Sequence, residues 1–203
     1  QGNVDAVLTC EKEHQFFWAH GMDFRLLDFE DFLKNTSNSI VTSKSMVENN
    51  PEVLKKFLRA YTKGLYFTLL NPAASTEITL ERFPSIKVEF KDAIKAITGL
   101  VYIDHDEHVF RYGYGWHDPA KWYISIRESV KEGLLSKEIP LEQAFTNQFI
   151  PEANNVDFAA VEKDAESYEL KPEYKEQLKE VEFSERYLEL KEMSEKIRRV
   201  IPE

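Results

Sequence analysis

The chain has 203 residues, 42% of them hydrophobic and 31% charged, with a formal net charge of −10. That length can bury a real core in one domain or two small ones, and the composition is that of a globular protein rather than a disordered one. The negative charge argues against general nucleic-acid binding, because the densest basic run, KIRR at Lys196–Arg199, follows glutamates and forms no patch able to hold a polyphosphate.

Cys10 is the single cysteine, which leaves no intrachain disulfide framework and no zinc ribbon while leaving the compartment open. No apolar run approaches the length of a membrane span, and these residues show no signal-peptide pattern. The opening residues QGNVDAVLT read like the middle of a fold.

Taken in order, the first segments read as short apolar strands: NVDAVLT (3–9), FRLLDF (24–29) and NSIVTS (38–43), separated by a helix and a polar loop as in α/β units. The chain then turns helical. NNPEVLKKFLRAYTKGLYFTLLNP starts with Asn50 as cap and Pro51 in the first turn and stops before Asn71-Pro72. Leu54, Leu58, Tyr61 and Leu65 share one face of it. KVEFKDAIKAITGLVY places Phe90, Ala93, Ile94, Ile97 and Val101 on a second apolar stripe. HDPAKWYISIRESVKEGLL is capped by Asp118 with Pro119 behind it, and aligns Trp122, Ile126, Val130 and Leu134. No fixed-period repeat is present.

The composition shifts after Leu170. Residues 171–203 hold 8 basic and 9 acidic residues, so the first 170 carry 18 and 27, or −9 of the −10. Phe183, Tyr187, Leu190, Met193, Ile197 and Val200 follow helical spacing in this tail. Glu192–Lys196 and Glu195–Arg199 add i,i+4 pairs. The spacing predicts a helix whose apolar face packs back on the body, since the stripe is too short for several coiled-coil heptads.

Set in order, GNVDAVLT, HGMDFRLLDF, NSIVTS, NPEVLKKFLRAYTKGLYFTLLNPAAS, ERFPSI, GWHDPAKWYISIRESVKEGLL and AFTNQFIPEAN resemble the C-terminal part of type II periplasmic substrate-binding proteins. The branch is the nitrate/sulfonate/taurine and thiamine-pyrimidine-precursor type that serves ABC transporters. The resemblance covers about residues 2–168, and the 171–203 tail has no counterpart in it. It implies an α/β fold of two lobes joined by crossing strands, with the ligand clamped between them by a hinge motion. On that plan residues 1–34 end the second lobe, 35–44 form the hinge crossover, 45–170 are helices completing the first lobe, and 171–203 are a charged helical tail. The family's first half has no counterpart in these residues, so the chain is expected to be a fragment, or to have the rest in a portion outside these residues.

AFTNQFIPEAN lies in a sparsely charged stretch, EQAFTNQFIPEANNVD (142–157), where amides crowd among Phe145, Phe149 and Ile150. The resemblance implies that this segment closes the chain over the first lobe. Asn147 and Asn154 are therefore expected to satisfy backbone groups rather than bind ligand, as amides near apolar side chains do.

Open α/β sheets bind ligands at strand ends and crossovers. The first strand then offers Thr9, Cys10 and Glu13, and the return crossover offers Asp31, Asn35, Ser37 and Asn38. Glu13 also matches an acidic position of the pyrimidine-binding branch, eight residues before Gly21. Its other reading is a surface glutamate in a helix's first turn, and the other reading of the crossover residues is plain loop and turn chemistry. Cys10 with His14 at i+4 and Glu13 beside it forms a conceivable nucleophile pair, set against a small half-buried thiol. HDEH (His105–His108) and the nearby His117-Asp118 hold imidazoles and carboxylates but lack the convergence a metal site needs. A solvated loop is expected there. RYGYGWHD (Arg111–Asp118) lacks the Lys and Ser/Thr of a phosphate loop and reads as a packed turn into the next helix.

Three functions follow. The first is a solute-binding component of an ABC importer, holding a small polar or anionic metabolite of the sulfonate, nitrate, taurine or pyrimidine/thiamine-precursor class. It would carry no cofactor or metal and no catalytic residue. Its partner would be a transporter permease, and its place the periplasmic or extracellular face of the membrane. The second is a pyrimidine-precursor synthase of the same fold, whose cysteine-rich signature is not visible here. The third is a non-transport ligand-sensing lobe with the tail as its interaction element.

Overall fold

A computed structural model describes residues 38–198 apart from 106 and 184, together with 4–7, 9, 17, 22, 25 and 27. Helices dominate, and several begin or end where short-range chemistry dictates. Helix α1 (Lys44–Asn49) starts at Ser43, whose hydroxyl accepts the Met46 N–H at 3.1 Å. Asn50 then serves both sides of a junction. Its N–H bonds the Met46 carbonyl at 3.0 Å to close α1, and its own carbonyl accepts from Val53 at 3.1 Å to open α2 (Pro51–Leu70). Asn71 separates α2 from α3 (Pro72–Arg82): its Oδ1 accepts the Ala74 N–H at 2.9 Å, and Pro72 fills the first helical position.

Helix α4 (Phe90–Asp104) follows, then α5 (Glu107–Tyr112) and α6 (Pro119–Lys131). The predicted cap of α6 is present, Asp118 Oδ1 accepting the Ala120 N–H at 2.8 Å. Two single-turn helices, α7 (Leu141–Ala144) and α8 (Ile150–Ala153), precede α9 (Phe158–Ser167), which Asp157 caps through the Ala160 N–H at 2.9 Å. The tail forms α10 (Pro172–Leu178) and α11 (Glu185–Arg198).

No strand occurs among the described residues. Residues 38–43, expected to be a strand, are irregular, as are the described positions of the two earlier expected strands. A β-prone run becomes a strand only when a neighbour supplies its ladder. Here Ile40 and Val41 are exposed and the run leads into the Ser43 cap. The helix-rich half of the expected α/β architecture is thus present, and the sheet half is not seen in the described residues.

The chain divides into two units, one built of residues 1–24, 63–107 and 157–203, the other of 25–62 and 108–156. In the first, Ala73, Phe90 and Ile94 form the centre of a core. Leu80, Leu170, Tyr174, Leu178, Val181 and Phe183 pack against it, and α4 lies against α3, α10 and α11. Phe90 and Ile94 belong to the predicted stripe of α4, and Val101 continues it inward. Helix α2 differs from expectation: Thr62, Tyr66 and Leu69 are its most buried side chains, whereas Tyr61 of the predicted stripe is exposed. In this first unit α9 selects that face, with Tyr66 edge-on to Phe158 at 4.9 Å and its hydroxyl on Glu162 at 2.5 Å.

The start of α3 is buried on every side, Pro72 through Glu77. A buried carboxylate needs donors, and Glu77 finds two at the root of the tail: the Tyr168 hydroxyl at 3.3 Å and the Lys171 N–H at 3.1 Å. Lys171 Nζ pairs with Glu81, one turn along the same helix. Burial first, and then the Glu77 charge, raise the Tyr168 pKa.

The tail packs on its own body, as its apolar face predicts, but as two helices rather than one. Val181 and Phe183, two residues apart, both reach the core; extended backbone puts such a pair on one side, whereas a helix would set them nearly opposite. Beyond the break, Tyr187 and Leu190 are almost fully buried, and the Tyr187 hydroxyl donates to the Leu69 carbonyl at 3.3 Å. Burial pushes its pKa up to about 12. Side chains from Met193 onward lie outside the described residues.

Candidate functional site

The second unit holds a polar constellation built from the amide-rich stretch. Asn154 Oδ1 accepts the Tyr114 N–H at 2.8 Å, while its Nδ2 donates to the Tyr114 carbonyl at 3.1 Å and to the Ile150 carbonyl at 2.8 Å. Asn147 does the same for His117, accepting its N–H and donating to its carbonyl, both at 2.9 Å. Each primary amide thereby stands in for a peptide of a neighbouring strand, satisfying donor and acceptor of one residue at once.

The turn they hold needs its glycines. Gly113 sits at φ +95°, and a Cβ there would lie 2.8 Å from Asn154 Cγ. Gly115 also has positive φ, at +82°. Arg59 anchors the same region from α2, its guanidinium meeting the Glu152 carboxylate at 2.9 Å. Asn147 and Asn154 are structural, as expected. The refinement is that His117 and Tyr114 lie 30 and 40 residues away, with the Ile150 carbonyl the one nearby partner, bonded by Asn154.

Two ring clusters flank this turn. Tyr112 stacks on Trp116 with centroids 4.2 Å apart, and His108 lies nearly parallel to Trp116 at 5.6 Å. Arg111 stands 5.2 Å over the Tyr112 ring. On the other side Trp122 stacks on Phe145 at 5.5 Å and donates its indole N–H to His117 Nδ1 at 3.1 Å. That bond needs a neutral imidazole, and burial pushes the His117 pKa below its ordinary value.

HDEH is not the solvated loop expected of it. His105 is buried beyond the end of α4 with Nδ1 2.7 Å from the Val101 carbonyl, and His108 joins the ring cluster. The sequence signal was available: aromatic residues follow at 112, 114 and 116 and give an imidazole something to pack on. RYGYGWHD is the packed turn expected, with Tyr114 buried at its centre.

Of the expected ligand contacts, Thr9 and Asn38 are exposed residues in irregular backbone. Cys10, Glu13, Asn35 and Ser37 lie outside the described residues, as do Asp31 and His14. Among the described residues no three His, Cys, Asp or Glu side chains converge as a metal site, and no helix is long and apolar enough to cross a membrane.

Comparison with known proteins adds what the geometry leaves open. Residues 1–75 match the family model described as NMT1/THI5 like. The chain is also similar to the riboflavin-binding protein RibY of Chloroflexus aurantiacus, with 29% identity over 132 residues. That match covers 64% of this chain and 38% of RibY, so the chain spans well under half of the relative's length. No solved structure matches. The resemblance to this group, read from the order of the sequence motifs, is borne out by both matches.

Proposed function

We propose that this chain is part of a solute-binding protein that presents a small metabolite to an ABC-type importer. The observation that carries the reading is the pair of matches: the NMT1/THI5-like region over residues 1–75 and the similarity to RibY, a riboflavin-binding protein. The proposed ligand belongs to the sulfonate, nitrate, taurine or pyrimidine/thiamine-precursor class. RibY's name adds riboflavin, a heteroaromatic ring system on a polyol, as the first compound to try.

In this reading residues 1–34 end one lobe of a type II fold, 35–44 cross the hinge and 45–170 complete the other lobe. Thr9, Cys10, Glu13, Asn35, Ser37 and Asn38 contribute to the cleft. Binding then draws the lobes together by population shift rather than by chemistry on the ligand. The partner is a permease, and the site of action is the periplasmic or extracellular face of the membrane. The amide-held turn of the second unit supports this assignment of roles: Asn147 and Asn154 are taken up by backbone pairing and are not counted among the ligand contacts. Equilibrium titration with riboflavin, aminopyrimidines, taurine and nitrate tests the proposal, with Glu13→Gln and Asn38→Ala as the cleft variants. Saturable binding weakened by those variants is expected, and binding indifferent to both would remove the cleft assignment.

A further inference from the structure

We draw no further inference here: the strongest candidate, the exposed apolar stripe of Val53, Phe57 and Tyr61 along α2, carries nothing because nothing in the structure shows what covers it.

Discussion

Asn154 grips Tyr114 through both halves of its peptide, accepting the N–H at 2.8 Å and donating to the carbonyl at 3.1 Å. The grip is possible only because Gly113 lacks a Cβ, which would stand 2.8 Å from Asn154 Cγ. Replacing Asn154 by Ala strands these partly buried backbone groups, at about 1–3 kcal/mol for each group that water fails to reach. Gly113→Ala meets both the clash and the strain of a positive φ, a loss of about 1–3 kcal/mol. The two substitutions share one contact, so the double variant is expected to lose less than the sum of the singles. Chemical denaturation of all three variants checks this; simple additivity would show that the two residues are not coupled.

His117 gives the second unit a dependence on acid. Burial lowers its pKa below 6.5, so the unfolded chain binds the proton more readily than the folded one. Its contribution to stability is full above about pH 6.5 and is lost as pH falls through the folded value. Protonation also removes the acceptor that Trp122 uses. Melting temperature followed from pH 8 to pH 5 should therefore decline more steeply for the native protein than for His117→Gln. Equal slopes would mean the imidazole is not desolvated.

The tail should behave as part of the first unit. Leu190→Ala removes an almost fully buried side chain and is expected to cost about 2–5 kcal/mol. Deleting residues 171–203 should lower the melting temperature by an amount independent of protein concentration, because the lost contacts are intramolecular. A dimeric native protein that becomes an equally stable monomer on deletion would contradict this. Tyr187 adds an alkaline signature. Its raised pKa supplies stability that is complete below pH 10 and lost as pH rises toward about 12. Tyr187→Phe should flatten that limb.

These elements also mark what could be read from the chain alone. The start of α6 was legible because its Asp118 cap is local chemistry followed by a clear apolar stripe, whereas the side-chain caps at Ser43, Asn71 and Asp157 were not read from the chain. Helix α3 was hidden because Pro72–Glu77 is buried all round, including Ser75, Thr76 and Glu77, and a segment without an exposed face has no amphipathic period. The break between α10 and α11 was equally invisible: no glycine or proline causes it, only the pull of a core assembled from distant residues on Val181 and Phe183. Strand expectations such as 38–43 failed for the complementary reason, since a strand depends on a partner that its own sequence does not contain. At the candidate site, amides among aromatics announced structural roles for Asn147 and Asn154, but spacing could not name Tyr114 and His117 as their partners.

A binding role also predicts the absence of turnover. Incubation of the protein with riboflavin, aminopyrimidines or sulfonates should leave each compound unchanged by mass spectrometry. A new product would favour the synthase reading instead.

The most direct measurement is equilibrium binding of riboflavin, followed through quenching of flavin fluorescence, with calorimetry for the non-fluorescent candidates. Saturable binding of one compound of the panel at one site per chain, with the compound recovered intact, is the predicted result. Absence of saturable binding by every compound, or recovery of a converted product, would contradict the assignment as a solute-binding protein.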